Sequence, residues 1–568
     1  GGCRCALGTR PPTTMRAAAA LVAVWCFCAA AFAPAAQAAS AAAGVSPAVD
    51  ARLPAPNAFE VNEKYASFNV DSTFNRGFFH VDFANTALRA AASSLAPATL
   101  RVGGTGGDYL HYGGFAGSEP CPAASSSAND TYGCLNTTHW ADLVGLADTV
   151  GDLLFGLSYD AERACGGGAG AGAAYEWRAD AAQGALRLLR HAAASGQRIW
   201  GVELGNELNN LNRADRQACG LRAEHHAEAL ITLQKVLEGV YQNASDRPVV
   251  IGPDSGGYEC IGVGGCPWLE DCLDALRASE RGVDGTLHAV THHTYPGIAS
   301  DSYDSASELD QKHAIDQWLV PLVRQRAAKA QVWSGETGPH SGGENGTCGA
   351  DAASICGKFG SALWYADDLG YRATRGISQH QRQDLFGGRY GLLRIKRGAE
   401  ALFADDSVSL SADFWVNYLW KRLVGRAVGG TVLEETYGNT LRAYCHAGAP
   451  QSPDAPPEAA GATATLVLIN LSPSEGREVT LGVAPLGGGR TTVDALAWSL
   501  SPPIAGALSF DAPLLNGQAL PAALTVGGKG LAGMQAPAKR IPAGGTIALP
   551  PHSVTFALLL DSKSRAMS

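Results

Sequence analysis

Short apolar runs alternate with longer Ala- and Leu-rich segments of helical periodicity from about residue 65 onward. Parallel strands need a crossover segment between them, so this alternation predicts a parallel α/β domain. Eight strands are predicted, at Ala66–Val70, Thr99–Val102, Leu153–Leu157, Ile199–Leu204, Pro248–Ile251, Leu287–Thr291, Gln331–Trp333 and Gly376–His380. Helices are predicted between them at Ala87–Leu95, Ala181–Ala194, Ala223–Asn243, Glu308–Ala330 and Ser361–Leu369. Eight such units in about 320 residues favour a (β/α)8 TIM barrel over a doubly wound sheet.

The pattern changes beyond about Gly425, where alternating apolar and polar residues are interrupted by Gly and Pro and helical periodicity is rare. Runs such as Thr463–Ile469 and Val554–Leu560 predict an antiparallel β-sandwich packed on the barrel. We therefore divide the chain into an untranslated leader with a signal peptide (1–38), a segment that adds a strand to the β-domain (39–64), the barrel (65–424) and the C-terminal β-sandwich (425–568).

The N-terminal region has the pattern of a secretory signal peptide. Met15 and Arg16 precede an apolar run, Ala17–Phe32, and the small residues Ala36 and Ala38 flank Gln37. The strongly apolar run is shorter than the roughly 20 residues needed to span a bilayer. We expect cleavage after about Ala38 and entry into the secretory pathway, with an extracellular or vacuole-like destination. Membrane or cell-wall association stays open.

The cysteine content favours disulfides over a metal site. Four of the 14 cysteines precede the predicted cleavage site, which leaves an even ten in an exported chain. Cys121 with Cys134 and Cys348 with Cys356 would close short loops, and no pair has the two-residue spacing of a zinc ribbon. Five glycosylation sequons also support export, and they begin at Asn129, Asn136, Asn243, Asn345 and Asn470.

The charge balance argues against nucleic acid as a partner. Removal of Arg4, Arg10 and Arg16 with the leader leaves 40 basic residues against 53 acidic ones, a net charge of about −13. No long basic run interrupts this acidic composition. No cofactor is expected, because the glycines at 103–107 lack the following Lys-Ser/Thr of a phosphate loop and no HExxH pair occurs.

Two glutamates carry the candidate chemistry. Glu207 follows the fourth predicted strand, and Glu336 follows the seventh. Reactive groups of TIM barrels lie at the carboxyl ends of strands, and glycosidic cleavage needs one carboxylic acid and one carboxylate. An Asn-Glu dipeptide taken alone more often caps a helix. Together the two positions predict a retaining glycosidase with Glu207 as acid/base and Glu336 as nucleophile, about 5 Å apart.

Other segments of the chain narrow the prediction of a retaining glycosidase to one family. They are Ser67–Asp71, Leu100–Thr105 with Asp108, Leu154–Leu157, Gly252–Asp254, His292–Tyr295, Trp415, Lys421–Gly425 and Leu549–Ser553, the last three extending the match into the β-domain. The chain resembles the heparanase and β-glucuronidase family, glycoside hydrolase family 79, of the clan A TIM-barrel glycosidases. The resemblance is closer to plant heparanase-like proteins than to animal heparanase, since Leu208 stands where animal heparanases have Pro.

The resemblance implies roles for the residues around the two glutamates. Asn206 would hydrogen-bond the sugar 2-hydroxyl, and Tyr295 would donate to Glu336. Asp71 and Thr105 would line the subsite of the non-reducing uronic acid. The alternative for these side chains is a structural one, in which they satisfy backbone groups at strand ends. For His292 and His293 we favour a supporting role over direct catalysis.

The sugar carboxylate would be held by the Tyr390 hydroxyl and by backbone amides of Gly342 and Gly343. Backbone N–H groups suit a carboxylate, and glycine permits close approach.

The substrate is expected to be a glycan or glycoside ending in β-glucuronic acid. Animal heparanases grip sulfated chains with Lys and Arg beside the cleft, whereas the run Ser255–Cys266 has no basic residue and the loop after the third strand is Gly/Ala-rich. Two alternatives stay open: a clan A glycosidase for a neutral sugar, of the β-xylosidase or β-glucosidase type, and an inactive glycan-binding matrix or wall protein. The oligomeric state is not predicted.

Overall fold

A computed structural model describes residues 48–560 of the chain. The segments outside this description are 56, 73–77, 116, 122–132, 160–163, 166–174, 178–182, 211–219, 258–264, 297–302, 311–312, 341–356, 388–389, 395–406, 434–438, 449, 485–490, 526–530 and 532–535. The predicted signal peptide lies outside the described residues. Residues 46–568 belong to one compact unit.

Eight parallel strands close into a barrel, which confirms the predicted fold class. They are β1 (Ala66–Asp71), β2 (Ala98–Gly103), β3 (Gly151–Leu157), β4 (Gly201–Leu204), β5 (Val249–Gly256), β6 (Ala289–Thr294), β7 (Gln331–Thr337) and β8 (Gln379–Arg382). Closure is made by β8 pairing with β1, with His380 opposite Ala66. Strands β5, β6 and β7 run three to five residues beyond their predicted ends, because polar residues there continue the strand pairing.

The described helices are Thr86–Ser93, Thr137–Val150, Gln183–Ala194, Ala223–Val240, Pro267–Ala278, Gly282–Thr286, Ala306–Leu309, His313–Arg326, Phe359–Thr374 and Ala412–Leu423, with shorter 3-10 turns at Phe78–His80, Thr105–Tyr109 and Pro457–Gly461. The predicted single helix Glu308–Ala330 is wrong, because Ala306–Leu309 and His313–Arg326 are separate helices. Three helices of twelve or more residues were not predicted. One of these, Thr137–Val150, begins where Asn136 Oδ1 accepts from the His139 backbone N–H at 2.8 Å.

The helix Ala412–Leu423 is buried on every side. Trp415 and Trp420 both lie on this helix. The Trp420 ring lies 6.1 Å from Tyr65 beneath the barrel and 6.4 Å from Phe556 in the β-domain. The helix therefore packs between the two parts of the molecule.

Two facing sheets form the β-domain. One contains Gly430–Leu433, Ala48–Arg52, Arg477–Val483, Thr491–Thr492 and Thr546–Leu549. The other contains Ala427–Val428, Leu441–Ala447, Ala462–Asn470, Ser553–Leu560, Ala495–Ser501, Leu514–Leu515, Gln518–Ala519 and Lys539–Ile541. The pairing is antiparallel except that Ala48–Arg52 runs parallel to Arg477–Val483. Apolar side chains such as Val49, Leu466 and Leu559 pack between the sheets.

Three smaller sheets complete the described strands. They are His111–Gly113 with Cys134–Asn136, Ala164–Cys165 with Tyr175–Glu176, and Leu393–Arg394 with Ser407–Leu410 and Ala523–Thr525.

The cysteine prediction is confirmed in part. Cys121 and Cys134 form the expected disulfide, while Cys348 and Cys356 lie outside the described residues. Cys272 and Cys445 are free, so the even number of cysteines does not mean that every one of them is paired. Both thiols are buried among apolar side chains, and burial raises the pKa of Cys445 to about 12, which keeps it protonated and unreactive.

One predicted glycosylation site is also wrong. Asn470 is fully buried, and its Nδ2 donates to the carbonyl oxygens of Glu475, Leu549 and Pro550. A glycan needs an exposed asparagine amide, so this sequon is structural.

None of the helices in the described part of the chain is long and apolar enough to cross a membrane.

Candidate active site

A buried arginine organises the carboxyl ends of the barrel strands. Arg101 on β2 donates to Glu203 at 2.7 Å, Glu336 at 2.9 Å, Asn206 at 3.0 Å and Asp254 at 2.5 Å. Burial alone would lower the pKa of Arg101, but the charges of Asp254, Glu203 and Glu336 raise it well above its usual value. The planar guanidinium, with its fixed donors, ties the ends of four strands into one network.

The two predicted glutamates face each other across this network. One carboxylate oxygen of Glu207 and one of Glu336 lie within 4.8 Å of each other. Gly205 and Glu207 both have positive φ, +77° and +47°. This left-handed turn after β4 places Glu207 over the barrel mouth, where its backbone N–H donates to the Asp254 carbonyl at 2.9 Å. A non-glycine residue with positive φ stores strain, and such strain is concentrated at functional sites.

Both oxygens of Glu336 accept hydrogen bonds. The Tyr295 hydroxyl donates to Oε1, and Arg101 donates to Oε2. These two contacts fix the plane of the carboxylate at the end of β7. Its side chain is about 10% exposed, so it can be reached only from the barrel mouth.

His293 on β6 bridges two acidic groups. Its Nδ1 lies 2.9 Å from Glu207 Oε1, and its Nε2 lies 2.6 Å from Asp254 Oδ1. Burial alone would lower the pKa of His293, but the charges of Asp254 and Glu336 raise it well above the usual value. Burial likewise favours a raised pKa for Asp254, yet the cations Arg101 and His293 hold it below its ordinary value. His293 is therefore an imidazolium that donates to both carboxyl groups.

Glu203 on β4 behaves differently from these neighbours. Burial raises its pKa to about 8, against the lowering effect of Arg101. Glu203 is therefore the carboxyl group of the Arg101 network whose charged form burial disfavours most clearly, although Arg101 still donates to it at 2.7 Å.

The residues expected to bind the uronic acid lie around this centre. Asp71 ends β1 and accepts a hydrogen bond from Gln383 Nε2 at 3.0 Å. Gly104 has φ +98°, and a Cβ there would lie 2.9 Å from Asp71 Oδ1, so glycine is required beside this carboxylate. Thr105 opens the short turn Thr105–Tyr109 and is exposed.

Asn206 is fixed from two directions. Its backbone N–H donates to Asp108 Oδ1 at 2.8 Å, and its side-chain Oδ1 accepts from Arg101. The amide Nδ2 therefore points away from Arg101.

Tyr390 is fully buried beside Tyr295. A Cβ on Gly338 would lie 3.1 Å from a ring carbon of each tyrosine, so both rings pack against this glycine. The Arg382 guanidinium lies 5.2 Å from the Tyr390 ring centre. Gly342 and Gly343 lie outside the described residues.

The model of the family described as "Glycosyl hydrolase family 79, N-terminal domain" matches residues 62–370, which include β1 to β7 and both glutamates. The chain belongs to glycosyl hydrolase family 79.

Curated relatives of this family 79 chain come from plants and animals. It is 27% identical to heparanase-like protein 3 of Arabidopsis thaliana over 379 residues, which cover 65% of this chain and 63% of that protein. It is 26% identical to baicalin-beta-D-glucuronidase of Scutellaria baicalensis over 395 residues, 65% of this chain and 67% of that enzyme. The match to heparanase of Rattus norvegicus, 26% identical, covers 46% of this chain and 43% of that protein.

The solved structures support the fold. A 4-O-alpha-L-rhamnosyl-beta-D-glucuronidase from Fusarium oxysporum superposes with a TM-score of 0.58 at 13% identity and covers 90% of this chain and 100% of its own. The GH51 arabinofuranosidase from Xanthomonas axonopodis pv. citri reaches 0.57 at 13% identity, with the same coverage. At this identity the likeness concerns the architecture of barrel and β-domain alone.

Three side chains of the family 79 centre carry atoms of the metal-ligand type. Among the described residues, Glu207, His293 and Glu336 present one such atom each within 4.8 Å of one another. Both ring nitrogens of His293 already have partners in the centre, Glu207 Oε1 and Asp254 Oδ1.

Sequence reasoning missed Arg101 and Asp254 as members of the centre, and it gave His292 and His293 a supporting role without distinguishing between them. A charged residue between Leu100 and Val102 in an apolar strand was the available signal for Arg101, because an isolated buried charge requires partners. The adjacent histidines of β6 gave no such signal, since strand alternation places one of them inside the barrel and the other outside without saying which.

Proposed function

We propose that this chain is a retaining β-glucuronidase, which cleaves β-linked glucuronic acid from glycans or glycosides by double displacement. The observation that carries the proposal is the separation of the Glu207 and Glu336 oxygens, within 4.8 Å. Retaining glycosidases hold their carboxyl groups about 5–5.5 Å apart, whereas inverting ones need about 6.5–9.5 Å to admit a water.

In the first step Glu207 gives its proton to the glycosidic oxygen as the bond from this oxygen to the anomeric carbon breaks. The bonding electrons leave on the oxygen, which departs as an alcohol or phenol. A Glu336 oxygen attacks the anomeric carbon from the opposite face and forms a covalent glycosyl-enzyme. The contacts from Arg101 and Tyr295 hold Glu336 in line for this attack.

In the second step the Glu207 carboxylate takes a proton from a water whose oxygen attacks the anomeric carbon. The bond to Glu336 breaks with its electrons returning to the carboxylate, so the sugar leaves with its original anomeric configuration. In both steps Asn206 Nδ2, which is directed away from Arg101, donates to the sugar 2-hydroxyl.

Glucuronic acid is supported as the sugar by the relatives and by the residue types near the centre. One of the curated relatives named above is a glucuronidase by name. We assign the sugar carboxylate to Tyr390 with Gly342 and Gly343, and the adjoining hydroxyls to Asp71 and Thr105.

Heparan sulfate is a poorer candidate than a lightly charged glucuronide. The nearby cations Arg101 and Arg382 are buried and bound to carboxylates, so their charge is not offered to a sulfated chain. The net charge of −10 also opposes binding of a polyanion.

The deciding experiment compares hydrolysis of the p-nitrophenyl β-glucuronide, β-xyloside and β-glucoside by the full chain. The glucuronide should be hydrolysed with the highest kcat/KM of the three. Glu336→Gln should lower kcat for the glucuronide by a factor on the order of 10⁴ or more. A higher kcat/KM for the xyloside or the glucoside would favour the first alternative, a glycosidase for a neutral sugar. The fold, which is shared with an arabinofuranosidase, also allows this alternative. Glycan binding without any turnover would favour the second alternative, an inactive binding protein.

We also propose that the protein acts in the secretory pathway or outside the cell. The apolar run with its cleavage pattern and the Cys121–Cys134 disulfide support this location.

A further inference from the structure

The two adjacent histidines of β6 point to opposite sides of the barrel wall. His292 faces outward, where its Nε2 lies 3.1 Å from Asp316 on the helix His313–Arg326, and burial lowers its pKa. His293 faces inward and joins Asp254 to Glu207. The two have the same residue type, strand and burial, so they form a natural pair of test and control.

We propose that His293, anchored on Asp254 through Nε2 and in contact with Glu207 through Nδ1, is a positioning residue that orients the Glu207 carboxyl and stabilises the negative charge appearing on it during proton donation. This inference rests on the proposed glycosidase function. It goes beyond that function by assigning a role to a residue that need not touch the sugar.

The orientation follows from hydrogen-bond direction. An imidazolium can only donate, so Glu207 Oε1, which lies 2.9 Å from Nδ1, must accept. The acidic proton of Glu207 is then carried on Oε2. His293 itself is held by the 2.6 Å contact between its Nε2 and Asp254, so the carboxyl plane is set by a chain of two hydrogen bonds that starts in β5.

The electrostatic part follows from the change in charge of Glu207. When its proton passes to the leaving oxygen, the neutral acid becomes a carboxylate, and the bond from His293 becomes charge-assisted on both sides. An interaction that strengthens between ground state and transition state lowers the barrier. His293 keeps its own proton throughout, so the proton balance of the two steps is unchanged.

The groups facing His293 keep it charged. Asp254 on β5 and Glu336 on β7 are anionic, and Glu336 Oε2 lies 4.0 Å from Nδ1. Arg101 on β2 opposes them as a cation, and Glu203 on β4, whose pKa burial raises to about 8, contributes less negative charge than Asp254. The raised pKa of His293 agrees with this balance, because the anions outweigh its burial.

The test varies the leaving group. A p-nitrophenolate leaves with little help from an acid, whereas an alkoxide must be protonated, so loss of assistance to Glu207 should harm alkyl glucuronides selectively. His293→Gln keeps a hydrogen-bonding side chain but removes the charge. We expect kcat/KM for methyl β-glucuronide to fall on the order of 10-fold and kcat/KM for the p-nitrophenyl glucuronide to fall less than about 3-fold.

His292→Gln is the matched control and should change both substrates by the same factor. Asp254→Asn, which removes the charge holding the imidazolium, should reproduce the selective loss if His293→Gln does not fold. Equal losses on the two substrates in the His293 or Asp254 variant, or no loss, would overturn the inference while leaving the glucuronidase proposal intact. A wild-type chain inactive on both glucuronides would instead overturn the proposed function, and this inference with it.

Discussion

Replacing Arg101 with methionine should destabilise the protein more than the loss of any surface ion pair would. The guanidinium is 1% exposed and donates to four groups, three of which are the buried carboxyl groups of Glu203, Asp254 and Glu336. Removing one partner of a buried ion pair costs about 3–5 kcal/mol, because the carboxylates left behind cannot be solvated. We therefore expect Arg101→Met to lower the free energy of unfolding by about 3–5 kcal/mol at pH 7.

Urea unfolding followed by fluorescence gives this difference, and Arg281→Met supplies the control. Arg281 also makes a bidentate ion pair, with contacts of 2.9 and 2.7 Å to Glu238, but both side chains are about one-third exposed. Exposed pairs contribute at most about 1 kcal/mol. A cost for Arg101→Met no larger than that of the control would refute the view that this arginine is the electrostatic centre of the barrel.

The same comparison has a predicted pH dependence. The pKa of Asp254 is lowered in the folded protein because Arg101 and His293 outweigh its burial. A carboxylate with a lowered pKa contributes stability above its unfolded value of about 3.9, and that contribution is lost as the pH falls through the folded value. The difference between wild type and Arg101→Met should therefore be largest near neutral pH and should shrink below about pH 4.

Two further predictions concern other parts of the site. Burial raises the pKa of Glu203 to about 8, so its contribution to stability is present below its unfolded pKa of about 4.5 and is lost as the pH rises to about 8. Glu203→Gln should therefore gain stability relative to wild type across that pH range. A constant difference in the free energy of urea unfolding between pH 5 and pH 9 would contradict this. Gly104→Ala should lower kcat/KM for the glucuronide by about 10-fold or more, since its Cβ would lie 2.9 Å from Asp71 Oδ1. Gly114→Ala is the control, because Gly114 also has a positive φ but no atom lies within 4 Å of the position its Cβ would take. An equal fall in kcat/KM in both variants would show that the contact with Asp71 is irrelevant.

The barrel was predictable because its strands are buried on both faces and read as apolar runs. The predicted ends were too early where the sequence turns polar, as in β5, which continues through Asp254 to Gly256. Those polar residues face the barrel mouth, so hydrophobic periodicity does not predict that the strand continues through them. The helix Ala412–Leu423 was missed for the opposite reason, because a helix buried on all sides has no polar face to create a period.

The proximity of Glu207 and Glu336 was predictable from position alone, since both residues follow strands whose ends must meet in a closed barrel. The network beneath them was not, because Arg101, Asp254 and His293 come from three distant strands. Their charge states depend on mutual distances and on burial, which no local pattern encodes. The free thiols of Cys272 and Cys445 are a similar case, since an even number of cysteines does not say which of them are near a partner.

The central claim is that Glu336 is the nucleophile of a covalent mechanism, and trapping of the intermediate tests it most directly. The full chain would be inactivated with a 2-deoxy-2-fluoro-β-glucuronide bearing a good leaving group, digested, and examined by mass spectrometry for the modified peptide. We expect a single fluoroglucuronyl ester on Glu336, with loss of activity in proportion to labelling. A label on Glu207 or on another residue, or an active enzyme that forms no covalent adduct, would contradict it.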